Sequence, residues 1–539
     1  MKRRNFIQIG AIASSTPLLG LMGFASTKEV PDEKRKVVEG PFPLEERTVK
    51  QLQDAMQKGE YSSRKICQLY IDRIQEKDQS KGGLNSVIEL NPDALDIADQ
   101  MDSERRAGRI RGPLHGIPIM IKDNIDTGDK MMTTAGSLAL VGNSAPDDAF
   151  IVKKLREAGL VLLGKTNLSE WANFRSFRSS SGWSGRGRQT NNPYALDRNP
   201  CGSSSGSGAA VSGNMCALTI GTETNGSIVC PASRNGVVGI KPTVGLWSRD
   251  GIIPVSKTLD TPGPMARTVA DAAALLGVCV GVDEADKKTQ ESAGNFFTDY
   301  TQFLDANALK GKRIGLLNRA FGSHEKSDEI LRQAIDVLKE KGAVIVEGVK
   351  LKDRSNAGTT GDVLLTEFKH GLNQYLASRS GLKVKTLSDI IAFNNENASE
   401  ELPYFQQEIM YNAERAEPIT HFVYKISLSK LKKGAKQYDK KLKKLNLDAF
   451  VALTSGPASK TDPILGDNPK GGVSSSSLAA IAGYPNITVP AGYVYGLPVG
   501  ISFFSGKYQE PKLIAMAYAF EQATKMREAP KFLPSIDLI

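Results

Sequence analysis

Apolar and polar positions divide most of the chain into short apolar runs and longer amphipathic segments. Isoleucines alternating with proline and methionine at 117–121 predict a short buried strand, with Lys122 directly at its end. Residues 149–164 predict a helix, a glycine stop and a strand, and residues 312–350 predict a strand–helix–strand unit. Further helices are expected at 269–280, 361–376, over most of 384–445 and at 511–526, and further strands at 449–455 and 497–505. Helices interleaved with apolar strands along the whole chain predict one large α/β domain.

The most unusual stretch is residues 199–243, which contains two turns dense in glycine and serine, GSSSGSG at 202–208 and TETNGS at 222–227. Between them, residues 209–218 predict a short buried helix that leads into a brief strand near 218–221. Such turns let serine hydroxyls and bare backbone N–H groups approach one point, as acyl transfer requires of its nucleophile and oxyanion site. The same composition is typical of a flexible linker, but both turns lie among apolar residues that favour an ordered structure.

The first residues have the pattern of an export signal. MKRRNFIQIGAIASSTPLLGLMGFAS has a basic start, a moderately apolar middle and small residues near its end, and its polar interruptions argue against a permanent membrane span. Arg3-Arg4 resembles a twin-arginine signal, so we expect residues 1–25 to be cleaved after Ala25 and the protein to be periplasmic or secreted. Residues 26–44 are charged and are expected to be loose.

Composition and charge are those of an ordinary globular protein. Of 539 residues, 40% are hydrophobic and 24% charged, and no repeat or linker divides them. The formal net charge of +10 is concentrated in 425–444, where apolar residues recur at helical spacing with lysines on the other face. That pattern favours a solvated amphipathic helix over a nucleic-acid surface, so we expect no nucleic-acid partner.

The five cysteines and four histidines show no spacing typical of a metal site. Because there is no CxxC pair, neither a zinc site nor a disulfide framework is expected. Cys67 and Cys279 lie in apolar, helix-like stretches and are expected in the core. Cys201 and Cys230 flank the serine-rich turns and are interpreted as small packing residues. We expect neither a metal nor an organic cofactor.

Residues 171–197 are polar, rich in glycine, serine and arginine, and short of apolar runs. They predict a long surface loop over the site, where specificity residues are commonly found. Four arginines make this loop cationic: Arg175, Arg178, Arg186 and Arg188. If one of them faces the cleft, acidic or carbonyl-rich substrates would be favoured, and Arg188→Gly is expected to shift substrate preference without abolishing turnover.

Three separated motifs resemble the amidase signature family: GIPIMIKDN around Lys122, CGSSSGSGAA at 201–210 and GTETNGSIVCPAS at 221–233. The resemblance continues through DTPGPMARTVADAAALL and AGYPNITVPAGYVYGLPVGISFF and covers most of residues 45–530. It implies the α/β amidase-signature fold, in which one large mixed β-sheet is covered by helices on both sides. It also implies a single amidase catalytic domain over residues 45–535.

The resemblance implies a chemistry as well. The family's Ser-Ser-Lys constellation falls on Lys122, Ser203 and Ser227. Ser227 would be the nucleophile, and Ser203, held by a cis peptide bond, would relay a proton to a neutral Lys122. For this work near pH 7, the pKa of Lys122 must lie about three units below that of free lysine. The residues implied to form the oxyanion site or to bind the substrate are Thr224, Asn225, Gly226, Asn173 and Ser204.

Within the family, residues 171–206 are most similar to the peptide amidases, which deamidate C-terminal peptide amides. This implies hydrolysis of an amide, on a small molecule or a peptide, to an acid and ammonia through an acyl-enzyme. Asn225 departs from the Asp of that subgroup and the Gly of the wider family, and Arg188 stands where Gly is usual. We expect no membrane anchoring after signal removal, and a monomer or homodimer.

Two other functions are compatible with parts of the sequence. Residues 202–206 also fit the GxSxG nucleophile elbow of α/β-hydrolases, with Ser204 as nucleophile, but that mechanism needs an Asp and a His downstream. The chain is also similar to the A subunit of the tRNA-dependent amidotransferase, which works with partners on tRNA. The export signal argues against this alternative because charged tRNA is cytosolic.

Overall fold

The computed structural model describes residues 41–317, 321, 324–351, 357–467 and 474–536. The export signal predicted at 1–25 and the segment 26–40 lie outside the described residues. From Phe42 onward the chain forms one compact unit. In the part of the chain that is described, no helix is both long and apolar enough to cross a membrane.

The centre of the molecule is a large mixed β-sheet. The strands are β1 (Val87–Leu90), β2 (Pro118–Lys122), β3 (Val161–Thr166), β4 (Trp183–Ser184), β5 (Arg188–Gln189), β6 (Leu218–Glu223), β7 (Val238–Lys241), β8 (Thr261–Ala266), β9 (Arg313–Leu317), β10 (Val344–Val349), β11 (Ala449–Leu453), β12 (Asn486–Val494) and β13 (Leu497–Phe504). Within the described residues the main sheet has the order β1-β3-β2-β6-β8-β7-β12-β13-β11-β9-β10, and β4 and β5 form a separate hairpin.

The sheet combines two parallel groups with an antiparallel middle. β3, β2 and β6 run parallel, as do β11, β9 and β10. The strands between them, and the edge strand β1, pair antiparallel. β2 lies between β3 and β6, and all of its residues are buried, so its last residue, Lys122, is held deep in the protein.

Helices surround this sheet. They are α1 (Val49–Gln57), α2 (Ser63–Arg73), α3 (Ala94–Arg106), α4 (Phe150–Glu157), α5 (Ser205–Ser212), α6 (Val229–Arg234), α7 (Val269–Val278), α8 (Glu325–Glu340), α9 (Ala357–Ser378), α10 (Leu387–Glu396), α11 (Ala398–Glu401), α12 (Glu408–Glu414), α13 (Phe422–Leu445), α14 (Ser476–Ala482) and α15 (Glu510–Thr524). A second apolar core lies beside the main one. It is formed by residues of α9, α10 and α12 and also includes Trp171 and Val255.

The α/β class and the mixed sheet covered by helices, both expected from the sequence, are confirmed. The central helix differs from its prediction, because α5 begins at Ser205 rather than at Ala209. Glycine and serine are poor helix formers, but this turn of helix is pressed against neighbouring backbone. A Cβ on Gly206 would come within 2.4 Å of the carbonyl oxygens of Asn167 and Ser86, so the close packing itself requires glycine there.

Candidate active site

Lys122 ends β2 with its ammonium group fully buried among polar partners. Nζ lies 2.8 Å from Ser203 Oγ and 2.9 Å from Thr222 Oγ1. Thr222 Oγ1 also accepts a hydrogen bond of 3.1 Å from Asn124 Nδ2. Burial lowers the pKa of Lys122 to about 7, against the opposing influence of Asp260 and Glu223. A large share of this lysine is therefore neutral near pH 7 and can accept a proton.

Ser203 lies on the other segment of the site, in the turn that leads into α5. Its side chain is fully buried and the Gly202–Ser203 peptide bond is cis, as the family resemblance implies. The Ser203 carbonyl accepts a hydrogen bond of 3.0 Å from the N–H of Ser169. Lys122 and Ser203, named from separate motifs, are thus brought into direct contact.

Ser227 lies in the turn between β6 and α6 and is half-buried. Its carbonyl accepts a hydrogen bond of 3.2 Å from the N–H of Ser204, which joins the two serine-rich turns. In the described part of the chain, no hydrogen bond joins the hydroxyls of Ser203 and Ser227. The structure therefore places Ser227 in a turn that is bonded to the segment of Ser203, but it does not show the complete relay from Ser227 through Ser203 to Lys122.

The turn that carries Ser227 keeps its backbone donors free. Among the described residues, the N–H groups of residues 224–227 donate no hydrogen bond, whereas the following two, of Ile228 and Val229, donate to Glu223 Oε2 at 2.8 and 3.1 Å. Gly226 has a φ of +87°, a left-handed conformation that favours glycine. Free N–H groups beside a serine hydroxyl are what an oxyanion site requires.

Side chains from two distant segments hold this turn. The Thr224 hydroxyl donates to Asp260 Oδ1 at 2.6 Å. On the next residue, Asn225 Oδ1 accepts from Ser476 Oγ at 2.9 Å, and Asn225 Nδ2 donates to Ser477 Oγ at 3.2 Å. Asn225, the residue that departs from the family pattern, thus fixes the turn to α14 by its side chain.

A cavity of about 550 Å³ opens beside these residues. Asn124, Thr222 and Thr224 line it next to the Lys122 site, and Asp260 lines it beside Thr224. Its other walls come from the segments around 147–153, 249–262 and 371–379. Among the described residues, no group of three or more His, Cys, Asp or Glu side chains is arranged to hold a metal ion.

Two other residues named from the sequence have mainly structural contacts. The Ser204 hydroxyl is fully buried, donates to the Thr222 carbonyl at 3.0 Å and accepts from the Thr222 N–H at 3.1 Å. A hydroxyl bound on both sides by backbone is not available as a nucleophile, so the α/β-hydrolase alternative is wrong. Asn173 is half-buried, and its side-chain amide contacts the hydroxyls of Ser179 and Ser181 at 3.2 and 3.0 Å.

The interpretation of Cys201 and Cys230 as packing residues was wrong, because the two form a disulfide bond. Cys201 precedes Ser203 by two residues, and Cys230 follows Ser227 by three, so the bond ties together the two segments of the site. The sequence has no CxxC pair that would indicate this bond, because the two cysteines are 29 residues apart and meet only in the folded chain. Cys67 and Cys279 are free and buried, as expected.

The prediction of a cationic surface loop at 171–197 also needs correction. Outside Phe177, Arg178 and Arg188, none of these residues is exposed, and about half are buried. The loop is polar because its side chains bond within the protein. Three of its four arginines are ion-paired: Arg175 with Glu170, Arg186 with Glu89 and Asp123, and Arg188 with Glu400.

Residues that the sequence did not single out complete the site. Thr222 holds Lys122, and Asp260 holds Thr224. Thr222 stands in the same TETNGS turn as Ser227, and Asp260 begins the motif DTPGPMAR. The sequence therefore shows both motifs but not the roles of these two residues.

The backbone of residues 171–173 was not expected either. All three residues are left-handed, with φ values of 50°, 57° and 66°, although none is glycine.

Comparison with known proteins gives consistent matches. The model of the family described as Amidase matches residues 65–514. The native peptide amidase of Stenotrophomonas maltophilia is 48% identical, the match covers 91% of this chain and 100% of that chain, and the TM-score is 0.87. A peptide amidase solved with the competitive inhibitor chymostatin is also 48% identical, with the same coverage and a TM-score of 0.88.

More distant relatives include two kinds of protein. A probable amidase of Arabidopsis thaliana is 42% identical over 504 residues, which are 91% of this chain and 93% of the relative. The A subunit of the glutamyl-tRNA(Gln) amidotransferase from Clostridium kluyveri is 34% identical over 490 residues, 89% of this chain and 95% of the relative.

Proposed function

We propose a substrate and a mechanism for this chain, which belongs to the amidase family and is an amide hydrolase. It removes ammonia from primary amides of peptide-like acyl groups, and the reaction passes through an acyl-enzyme formed on a serine. The observation that carries the proposal is the contact between a buried Lys122, whose pKa burial lowers to about 7, and Ser203 beside the turn of Ser227. A buried lysine of lowered pKa, bonded to a residue such as Thr222 that lines a cavity, is typical of a catalytic base.

The first half of the reaction acylates the enzyme. Neutral Lys122 takes the proton of Ser203, Ser203 takes that of Ser227, and Ser227 Oγ bonds to the amide carbon. The carbonyl oxygen becomes an oxyanion that the free N–H groups of residues 224–227 stabilise. When the C–N bond breaks, the proton returns through Ser203 to the nitrogen, and ammonia leaves.

The second half reverses these roles with water. A water molecule loses a proton to the same serine–lysine pair and attacks the ester carbon of the acylated Ser227. The oxyanion forms again at the turn, and collapse releases the carboxylic acid and restores the Ser227 hydroxyl. Lys122 is neutral at the start and at the end, so no net proton is consumed by the enzyme.

The substrate class is argued from similarity and from the site together. Two solved relatives at 48% identity are called peptide amidases, which supports a peptide amide as substrate. The half-buried Ser227 and the enclosed 171–197 loop favour a small leaving group over an extended one. Acidic substrates, expected from the cationic sequence of that loop, are no longer supported, because its arginines are mostly ion-paired.

The amidotransferase alternative has weaker support. The relative of that name is 34% identical, and the solved A subunit of the Thermotoga maritima enzyme has a TM-score of 0.67 at 26% identity. Both values are below those of the peptide amidases. We therefore propose a hydrolase that releases ammonia to solvent and acts without a nucleic-acid partner.

Export remains part of the proposal. The Arg3-Arg4 pattern motivates it, and the Cys201–Cys230 disulfide supports it because disulfides persist in oxidising compartments. Expression of the full chain in a bacterium, followed by fractionation and N-terminal mass spectrometry, should find a periplasmic protein that begins at Ser26. A cytoplasmic chain with an intact N-terminus contradicts export and leaves the amidase proposal untouched.

The function is tested with a panel of peptide amides, each compared with the same peptide extended by one amino acid. Ammonia release should exceed release of the added amino acid by at least roughly tenfold. A fluorophosphonate should label Ser227 in the wild type, and Ser227→Ala should abolish both labelling and turnover. Labelling at Ser204 instead, or equal release of ammonia and amino acid, would overturn the nucleophile or the leaving-group claim respectively.

A further inference from the structure

Asp260 is a carboxylate in direct contact with the reaction turn, and the mechanism above gives it no role. It stands at the end of the loop before β8, is half-buried and lines the 550 Å³ cavity. Oδ1 accepts the hydrogen bond of 2.6 Å from the Thr224 hydroxyl. Oδ2 accepts from the backbone N–H groups of Val255 and Ser256, both at 2.8 Å.

These contacts connect the turn to a firmly anchored loop. Ser256 and Thr258, in the same loop, donate their hydroxyls to Glu367 on α9 at 2.5 and 2.6 Å. Val255 belongs to the second apolar core, which α9 also builds. Through Asp260, the position of Thr224 is therefore set by the body of the protein rather than by the turn alone.

The charge of Asp260 also influences Lys122, because Asp260 lines the same cavity as Thr222, the residue that accepts a hydrogen bond of 2.9 Å from Lys122 Nζ. Lys122 is influenced by two carboxylates, Glu223 from β6 and Asp260 from this loop, and both raise its pKa against the effect of burial. Asp123, the residue after Lys122, is engaged by the hydroxyl of Thr134 and by Arg186. The neighbouring cation of Asp260 is Arg249, which is itself paired with Asp286.

We propose that Asp260 is a positioning residue of the reaction, which fixes the oxyanion turn through Thr224 and sets the proton affinity of Lys122 through its negative charge. The inference rests on the proposed serine–lysine chemistry. Burial raises the pKa of Asp260 to about 6. The three hydrogen bonds that its oxygens accept, from Thr224, Val255 and Ser256, favour the carboxylate form.

The charge has a stated effect on the reaction. A nearby carboxylate favours the ammonium form of Lys122, so the neutral amine that remains is a stronger base. Removing that charge makes Lys122 neutral at lower pH but weaker in taking the Ser203 proton. Releasing Thr224 loosens the turn whose N–H groups must meet the oxyanion, which lowers the rate of the chemical step rather than substrate binding.

The alternative is that Asp260 merely caps the backbone of Val255 and Ser256. Asp78 is a matched control for that role, because its carboxylate also accepts from one hydroxyl and two backbone N–H groups, those of Ser86 and Val87. Burial raises its pKa to about 6 as well. Asp78 does not contact the site, so Asp78→Asn reports what losing such a carboxylate does to the fold alone.

The experiment measures kcat and KM from about pH 5 to 10 on one peptide amide for the wild type, Asp260→Asn, Thr224→Val and Asp78→Asn, after checking each fold by circular dichroism. Asp260→Asn should move the acid-side inflection of kcat/KM down by about half a unit or more. Its plateau kcat should fall by roughly tenfold or more with little change in KM. Thr224→Val should lower kcat without moving the inflection, and Asp78→Asn should leave the inflection in place.

An unmoved inflection in Asp260→Asn, or an equal shift in Asp78→Asn, overturns the electrostatic role, and an unchanged kcat in Thr224→Val overturns the role in the turn. If Asp260→Asn does not fold, Asp260→Ser removes the same charge in a smaller side chain and is judged by the same inflection. A wild type that hydrolyses no amide contradicts the proposed function instead, which keeps the two failures apart.

Discussion

Replacing Lys122 with methionine should make the protein more stable at neutral pH while destroying its activity. Methionine keeps the length of the side chain and removes the amine. The pKa of Lys122 lies at about 7 in the folded protein and at 10.5 in an exposed lysine. That difference corresponds to roughly 5 kcal/mol by which burial disfavours the charged form.

The sign and the pH window follow from proton binding. Between about pH 7 and 10.5 the unfolded chain binds more protons at this lysine than the folded one, so wild-type stability rises with pH across that window. The penalty is almost fully present at about pH 7 and absent above 10.5. Methionine removes it but also loses the contacts to Ser203 and Thr222, each worth about 1 kcal/mol.

The expected balance for Lys122→Met is a gain of about 2 kcal/mol near pH 7 that turns into a loss of similar size above about pH 10.5. Urea unfolding of both proteins at several pH values measures it, and kcat/KM should fall by roughly three orders of magnitude or more. Lys122→Arg should also be inactive because a guanidinium stays protonated. A stability difference that does not change with pH, or substantial activity in either variant, refutes the reasoning.

Lys241→Met provides the control for that experiment. Lys241 is another fully buried lysine, with a pKa lowered to about 8 by burial, but it contacts the carbonyl oxygens of Pro242 and Tyr484 rather than the site. Its replacement should change the pH dependence of stability in the same direction. It should leave the acid-side inflection of kcat/KM where it is, because that inflection belongs to Lys122.

Three further outcomes are expected. Cys201→Ser should lower the free energy of unfolding by about 3 kcal/mol, because the disulfide joins residues 29 positions apart. Thiol titration of the unreduced, denatured wild type should find only three free cysteines, and five would contradict the bond. Arg188→Gly should raise stability by about 0.5 kcal/mol in urea unfolding. Arg188 has a φ of 59°, and its side chain loses only exposed contacts to Glu400, an ion pair and a hydrogen bond to the carbonyl. Substrate preference should match the wild type, and a changed preference would support an arginine that faces the cleft. Exhaustive chelation should leave turnover intact, and a loss that only a divalent ion restores would contradict the metal-free mechanism.

The parts of the fold that the sequence predicts well are those determined locally. The run at 117–121 is apolar throughout and becomes β2. The helix expected at 269–280 appears as α7, and the side chain of Thr268 caps it by accepting the Asp271 N–H. The strand–helix–strand unit at 312–350 appears as β9, α8 and β10. In each case the hydrophobic pattern suffices because tertiary contacts agree with it, and for α7 the capping residue adds to it.

The parts that failed depend on contacts distant in sequence. Residues 171–197 look like a surface loop because they are polar, yet Arg175 is fully buried and donates to Glu170 Oε1 at 2.6 Å. Composition cannot reveal whether a polar side chain bonds to water or to protein. The left-handed run at 171–173 has no glycine to signal it either, and such conformations hold only where the surrounding structure enforces them.

For the candidate site, the motifs predict Lys122, Ser203 and Ser227, and the structure brings Lys122 and Ser203 into contact, but the residues that hold the site in place were missed. Thr222 and Asp260 act on functional groups through side chains that meet only after folding. A turn sequence such as TETNGS reveals its glycine and its candidate nucleophile. It does not reveal which distant carboxylate its threonine will find.

Side chains around the turn that carries Ser227 explain why its backbone N–H groups can remain free, which the turn alone could not ensure. An oxyanion site needs N–H groups that point at one place and bind nothing else, and such groups in a free turn would turn toward water or each other. Here Glu223 takes the N–H groups of Ile228 and Val229, Asp260 holds Thr224, and Ser476 and Ser477 hold Asn225. Because side chains anchor the turn on both sides, the N–H groups of residues 224–227 are held in place without donating hydrogen bonds of their own. Substitutions at these anchors should therefore reduce kcat more than they raise KM, because they disturb a geometry that matters most when the oxyanion forms.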